Sequence, residues 1–123
     1  MRRWLWFVLL CPVAAVAQSN GYTVDQLQAG LASYDRLEPE HTPAQADLMA
    51  GSYAVGYINA IANVGQTRAF CPTQSMDNRG LAHVVSAYIP TMAPWQHTED
   101  ASTAVIGALN RAFPCPPKAI ASR

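Results

Sequence analysis

The chain has 123 residues, with eight basic and eight acidic side chains, three histidines and three cysteines. That length makes one domain near the small end of what folds alone, with no room for separate catalytic and regulatory parts. The charge is balanced and no basic stripe with interleaved aromatics runs along the chain, so nucleic acid is excluded as the expected partner.

Residues 1–17 read as a cleaved signal peptide. Arg2 and Arg3 give the positive start, Trp4 to Val16 the apolar run, and Ala15-Val16-Ala17 the small-residue cleavage pattern before Gln18. The run is shorter than the roughly 20 apolar residues that span a bilayer. Polar Ser19 and Asn20 follow it at once, so no stable membrane anchor is expected after cleavage. A lipid-attachment reading of Cys11 fits poorly, because Leu10 precedes it where a small residue is wanted. Export leaves residues 18–123 as a single, mildly acidic domain. It also leaves Cys71 and Cys115 as the only cysteines, in an oxidising compartment where one disulfide is the expected outcome. Closing a loop of about 44 residues is worth roughly 4 kcal/mol in the chain-entropy model. A metal-binding pair would want four ligands at short spacings, and neither cysteine has a close cysteine or histidine.

The exported part divides into four helical segments, an all-α compact bundle. Thr23 caps the first, whose Val24, Leu27, Leu31 and Tyr34 share a face. A polar loop, Asp35 to Glu40, follows. Thr42 before Pro43 predicts the start of a second helix, with proline at its first position, running to about Phe70. Ala46, Ala50 and Ala54 form a small-residue ridge there, and Gly51, Gly56 and Gly65 interrupt the run. Each interior glycine costs about 1 kcal/mol, which predicts close helix-helix approach. The neighbouring ridge, Met49, Tyr53, Tyr57 and Ile61, is a core stripe or a dimer stripe, and the sequence leaves both readings open. Asp77 or Asn78 caps a third helix with Leu81, Val84, Val85, Tyr88 and Ile89 on its apolar face. After a loop from Pro90 to His97, Thr98 caps a fourth, with Glu99 and Asp100 in its first turn, where the helix dipole favours negative charge. Val105, Ile106, Leu109 and Phe113 form its apolar face, and Pro114 stops it. Cys71 and Cys115 then follow the ends of the second and fourth helices, so one bridge staples those ends together.

Catalytic chemistry has little to stand on. No histidine pair has the spacing of a two-ligand metal helix, and His97 with Glu99 two residues on is a helix start before it is a metal site. His41 and the Glu38/Glu40 pair lie in a loop, His83 at the edge of the third helix's apolar face. A disulfide would consume both thiols and remove a cysteine nucleophile. No cofactor and no metal site is expected, and the chain reads as a non-enzyme. The feature that stands out is Pro94-Trp95-Gln96-His97, a large aromatic in an inter-helix loop. Tryptophan is enriched at binding hot spots, and it also serves to cover small cores.

From Gly56 to Pro116 the chain resembles the Rap/Tai family of type VI secretion immunity proteins. The residues that carry the likeness are Gly56-Tyr57-Ile58, Phe70-Cys71-Pro72, Arg79-Gly80-Leu81, the run Val84 to Ile89, and Ala108 to Pro116. The resemblance implies a small all-helical periplasmic protein, dimeric, that inserts a loop into a cell-wall amidase effector and blocks its active site without catalysis. Many members carry a second disulfide between the first helix and the position two before the Gly-Tyr-Ile motif. Here that position is Ala54, and its counterpart falls near Tyr34 or Asp35, so both halves of that bridge are missing.

Three functions compete. The first is an immunity protein that occludes a peptidoglycan amidase toxin, using Pro94, Trp95, Gln96 and His97 as the contact, with the loop from Thr73 to Asn78 as second choice. The second is a small periplasmic chaperone or accessory binding protein. The third is a small hydrolase built on His97 or Glu99.

Overall fold

The computed structural model describes residues 21–37, 39, 42–66 and 68–117. The signal peptide expected at 1–17, with Cys11, lies outside the described residues, as do Glu38, Glu40, His41 and the C-terminal tail. Four helices follow in order: α1 (Val24–Asp35), α2 (Gln45–Gly65), α3 (Asn78–Tyr88) and α4 (Ala101–Ala112). Two 3-10 turns, Ile89–Thr91 and Pro94–Thr98, connect α3 to α4. The described residues contain isolated bridges but no strand, in keeping with the all-α expectation.

Three of the four starts have a local side-chain cap. Thr23 accepts from the Gln26 amide at 3.3 Å while the Gln26 side chain accepts from the Thr23 amide at 2.9 Å, a reciprocal cap that satisfies two orphan donors. Asp77 caps α3 through the Gly80 amide at 2.7 Å. Two expected starts shift. α2 begins after Ala44, which makes no side-chain cap, so Pro43 precedes the helix instead of opening it. α4 is capped by Asp100, which accepts from the Ser102 amide at 2.8 Å, not by Thr98. Thr98 belongs to the preceding 3-10 turn, where its hydroxyl donates to the Trp95 carbonyl at 3.1 Å.

The end of α2 also falls short of Phe70, for a packing reason. The chain leaves the helix at Gln66, and Phe70 folds back onto Gly65. A Cβ on Gly65 would lie 2.5 Å from the Phe70 ring, so only glycine lets that ring close the helix end. Phe70 is thereby buried, and the Cys71 amide donates to the Phe113 carbonyl at 2.9 Å. The disulfide between Cys71 and Cys115 locks the same corner, as the cysteine arithmetic anticipated.

Close approach of small residues holds α1 against α2. A Cβ on Gly51 would sit 2.9 Å from the Tyr34 Cα, and one on Gly30 would sit 2.8 Å from the Ala54 Cβ. The backbones therefore meet with almost no side chain between them. Gly30, not Tyr34 or Asp35, stands opposite Ala54. Around this contact, Leu27, Ile58, Val85, Ile89, Val105 and Leu109 are fully enclosed, drawing all four helices into one core. Full burial of each such side chain contributes about 1.5–3 kcal/mol. Ala101, Ala104 and Ala108 bury a narrow face of α4 beside them, whereas Ile106, expected on that face, is 40% exposed.

Candidate functional site

The starts of α1 and α4 are clasped together, and this clasp builds the region around Trp95. The Val24 amide donates to the Glu99 carbonyl at 3.0 Å, and the Ala101 amide donates to the Tyr22 carbonyl at 2.8 Å. Just upstream, Pro94–Thr98 winds into a 3-10 turn with proline at its start. The Gln96 side chain reaches back to accept from the Ala93 amide at 2.9 Å. His97 turns inward and meets the Asp25 carboxylate through Nδ1 at 3.1 Å, which fixes the turn to the first turn of α1. Trp95 is left 68% exposed. It does not cover the core. The four residues Pro94 to His97 are thus one braced unit in which three side chains hold the backbone and the fourth faces solvent.

His97 pairs with Asp25, which it follows by 72 positions in the chain, and not with Glu99, its sequence neighbour. Asp25 was missed from sequence because helix-start acids have a ready local explanation in the dipole. No cluster of three or more histidine, cysteine, aspartate or glutamate side chains able to hold a metal occurs among the described residues. His83 is exposed on α3.

The tyrosine stripe of α2 splits between two roles. Tyr57 is half-buried, and its hydroxyl donates to Asp100 Oδ1 at 3.1 Å, supporting the cap of α4. Tyr22 packs edge-on against both Tyr53 and Tyr57, with ring centroids 4.7 and 5.1 Å away. Burial pushes the Tyr22 and Tyr57 phenols above their ordinary range; for Tyr57 the bond to Asp100 adds to this. Hydrogen bonds from Ser102 hold the Asp100 carboxyl below the usual carboxylate value, and Tyr57 contributes in the same direction. Tyr53, by contrast, is 58% exposed, in line along α2 with Met49 at 67% and Val64 at 78%. Gly56 lies on the same outer face, and a Cβ added there would meet nothing within 4 Å. Tyr57 is therefore structural, and Tyr53 belongs to an open apolar face. The Thr73–Asn78 loop borders a cavity at the far, disulfide-bonded end of the bundle.

The sequence of residues 23–115 matches the family model of Rap1a immunity proteins. The chain belongs to that family. The matched span runs from the cap of α1 to the second half-cystine, so it takes in all four helices, the braced Trp95 turn and the disulfide. Membership implies a toxin as binding partner, and family members are typically periplasmic. No helix among the described residues is long and apolar enough to cross a membrane. No curated protein matches the chain significantly.

Proposed function

We propose that the chain is a periplasmic immunity protein that binds a peptidoglycan amidase toxin delivered by type VI secretion and occludes its active site. The observation that carries this choice of contact is Trp95, largely exposed on a turn whose backbone is held by Gln96 and His97. Tryptophan concentrates binding energy, and a surface ordered beforehand loses less entropy on association. Occlusion needs shape and apolar contact, with no catalytic group, so the protein acts as a binder. The signal peptide reading of residues 1–17, followed by one domain at 18–123, supplies the address. A homodimer would use the outer face of α2, where Met49, Tyr53 and Gly56 are open.

The direct test is protection. Cells that export a peptidoglycan amidase effector should survive when the chain is co-expressed and lyse when it carries Trp95→Ala. Absence of protection against any neighbouring toxin gene would contradict the reading. The exposed Met49, Tyr53 and Val64 favour the second reading, an accessory binder or chaperone. Suppression of client aggregation at low pH, undiminished by Trp95→Ala, would select it.

A further inference from the structure

Asn20 and Gly21 form the one Asn-Gly pair in the chain, and they stand immediately before the clasp that joins α1 to α4. We propose that Asn20 is a self-modification site, where the side-chain amide converts without an enzyme to aspartate and isoaspartate. The proposal does not depend on the toxin reading. The Gly21 backbone nitrogen, once deprotonated, attacks Asn20 Cγ. An N–Cγ bond forms, the Cγ–Nδ2 bond breaks, and the leaving nitrogen takes protons from water to depart as ammonia. The five-membered succinimide that results is opened by water at either ring carbonyl. One opening restores an ordinary aspartyl link, and the other leaves the main chain running through the side-chain carbon as isoaspartate. Overall, amide and water become acid and ammonia, with no oxidant or reductant.

The chain holds four other asparagines, and each is protected in a way that Asn20 is not. Ring closure is crowded by a Cβ on the following residue, which only glycine lacks. Asn59, Asn63, Asn78 and Asn110 are followed by Ala60, Val64, Arg79 and Arg111. The attacking amide must also be uncommitted. Ala60 and Val64 lie within α2 and Arg111 within α4, where each backbone N–H is tied to the carbonyl four residues back. The Asn78 carboxamide is held, its Oδ1 accepting from Asn59 Nδ2 at 2.8 Å. Gly21, by contrast, is exposed, and its amide makes no hydrogen bond among the described residues. Just downstream the chain is pinned, since the Tyr22 carbonyl accepts from the Ala101 amide at 2.8 Å and the Val24 amide donates to the Glu99 carbonyl at 3.0 Å. The conversion therefore adds a carboxylate one residue from Gly21, beside the Asp100 end of the bundle, and breaks no bond that holds the helices.

The test is timed incubation of the secreted protein at neutral and mildly alkaline pH, followed by tryptic peptide mapping. No lysine or arginine lies between Gln18 and Arg36, so one peptide carries Asn20. That peptide should split into three species, two of them heavier by an amide-to-acid change, and faster at the higher pH because the attacking nitrogen must lose its proton. The peptides with Asn59, Asn63, Asn78 and Asn110 should stay single over the same time. A Cβ at Gly21 would lie 3.4 Å from Asp100 Oδ2, an ordinary contact, so Gly21→Ala should melt as wild type does. It should slow the conversion at least about tenfold by crowding the ring closure. An Asn20 peptide that stays single, equal conversion at the other asparagines, Gly21→Ala converting as fast as wild type, or a secreted chain that begins beyond Asn20 would each overturn the assignment.

Discussion

His97, in the turn before α4, meets the Asp25 carboxylate in the first turn of α1 at 3.1 Å, and this pair fixes where Trp95 points. Asp25 is 62% exposed, and surface pairs are worth about 1 kcal/mol or less. Replacing His97 or Asp25 by alanine should therefore barely change the melting temperature. It should, however, loosen the turn. The only tryptophans are Trp4, Trp6 and Trp95, so after removal of residues 1–17 Trp95 is the sole indole reporter. Its fluorescence anisotropy should fall in Asp25→Ala relative to wild type; an unchanged anisotropy would mean that the turn is held without the His97–Asp25 pair, by bonds within it such as those of Gln96 and Thr98.

The Cys71–Cys115 bridge closes a loop spanning 44 positions. By chain entropy its loss should cost about 4 kcal/mol, roughly 20 °C in melting temperature for a domain this size. The buried Phe70 ring and the Cys71–Phe113 backbone bond hold the same corner by contacts that do not involve the sulfurs. A Cys71→Ala/Cys115→Ala protein should accordingly keep its helical circular dichroism at low temperature while melting far earlier.

Two carboxylates link stability to acid. Hydrogen bonds from Ser102 lower Asp100, and hydrogen bonds from Arg36 and then Ser33 lower Asp47. A carboxylate with a lowered folded-state pKa contributes stability that is present above its unfolded value, about 3.9, and is lost as pH falls through the lowered value. Thermal melts should thus be insensitive to these groups near neutrality and decline below about pH 4. Asp100→Asn keeps a capping side chain but removes the charge. Its decline in acid should be shallower than that of wild type.

Glycines of α2 should respond in opposite directions. At Gly51 a Cβ would press on the Tyr34 backbone at 2.9 Å, so Gly51→Ala should destabilise by about 1–3 kcal/mol. At Gly56 the space is open, and Gly56→Ala should stabilise the monomer by about 0.5–1 kcal/mol through helix propensity. If the outer face of α2 is where two copies meet, the same change should weaken self-association in sedimentation equilibrium. Gly56→Ala that leaves association intact would move the dimer elsewhere.

Helix number, the caps at Thr23 and Asp77, and the core positions Val24, Leu27, Leu31, Leu81, Val85 and Leu109 were legible in the sequence because they depend on neighbours within a turn or two. The disulfide was legible from the cysteine count together with the export expected from residues 1–17. What escaped depends on contacts distant in sequence. Thr42-Pro43 looked like a helix start, yet α2 begins after Ala44. Nothing local to Phe70 signals that it must fold back on Gly65 and end α2 early. Sequence likewise could not decide whether Trp95 covered the core, since the answer lies in His97 finding Asp25 on another helix. The small-residue rule worked for Gly51 against α1; Gly65 instead makes room for the Phe70 ring and not for a helix, and Gly56 has no intrachain partner.

Inhibition of a purified type VI peptidoglycan amidase effector, titrated with wild-type protein and with Trp95→Ala, addresses the proposed function most directly. Stoichiometric inhibition by wild type, weakened at least about a hundredfold by Trp95→Ala, an effect of about 2.7 kcal/mol, is the expected result. Equal inhibition by both proteins would remove Trp95 from the interface. No inhibition by either would contradict occlusion of an amidase altogether.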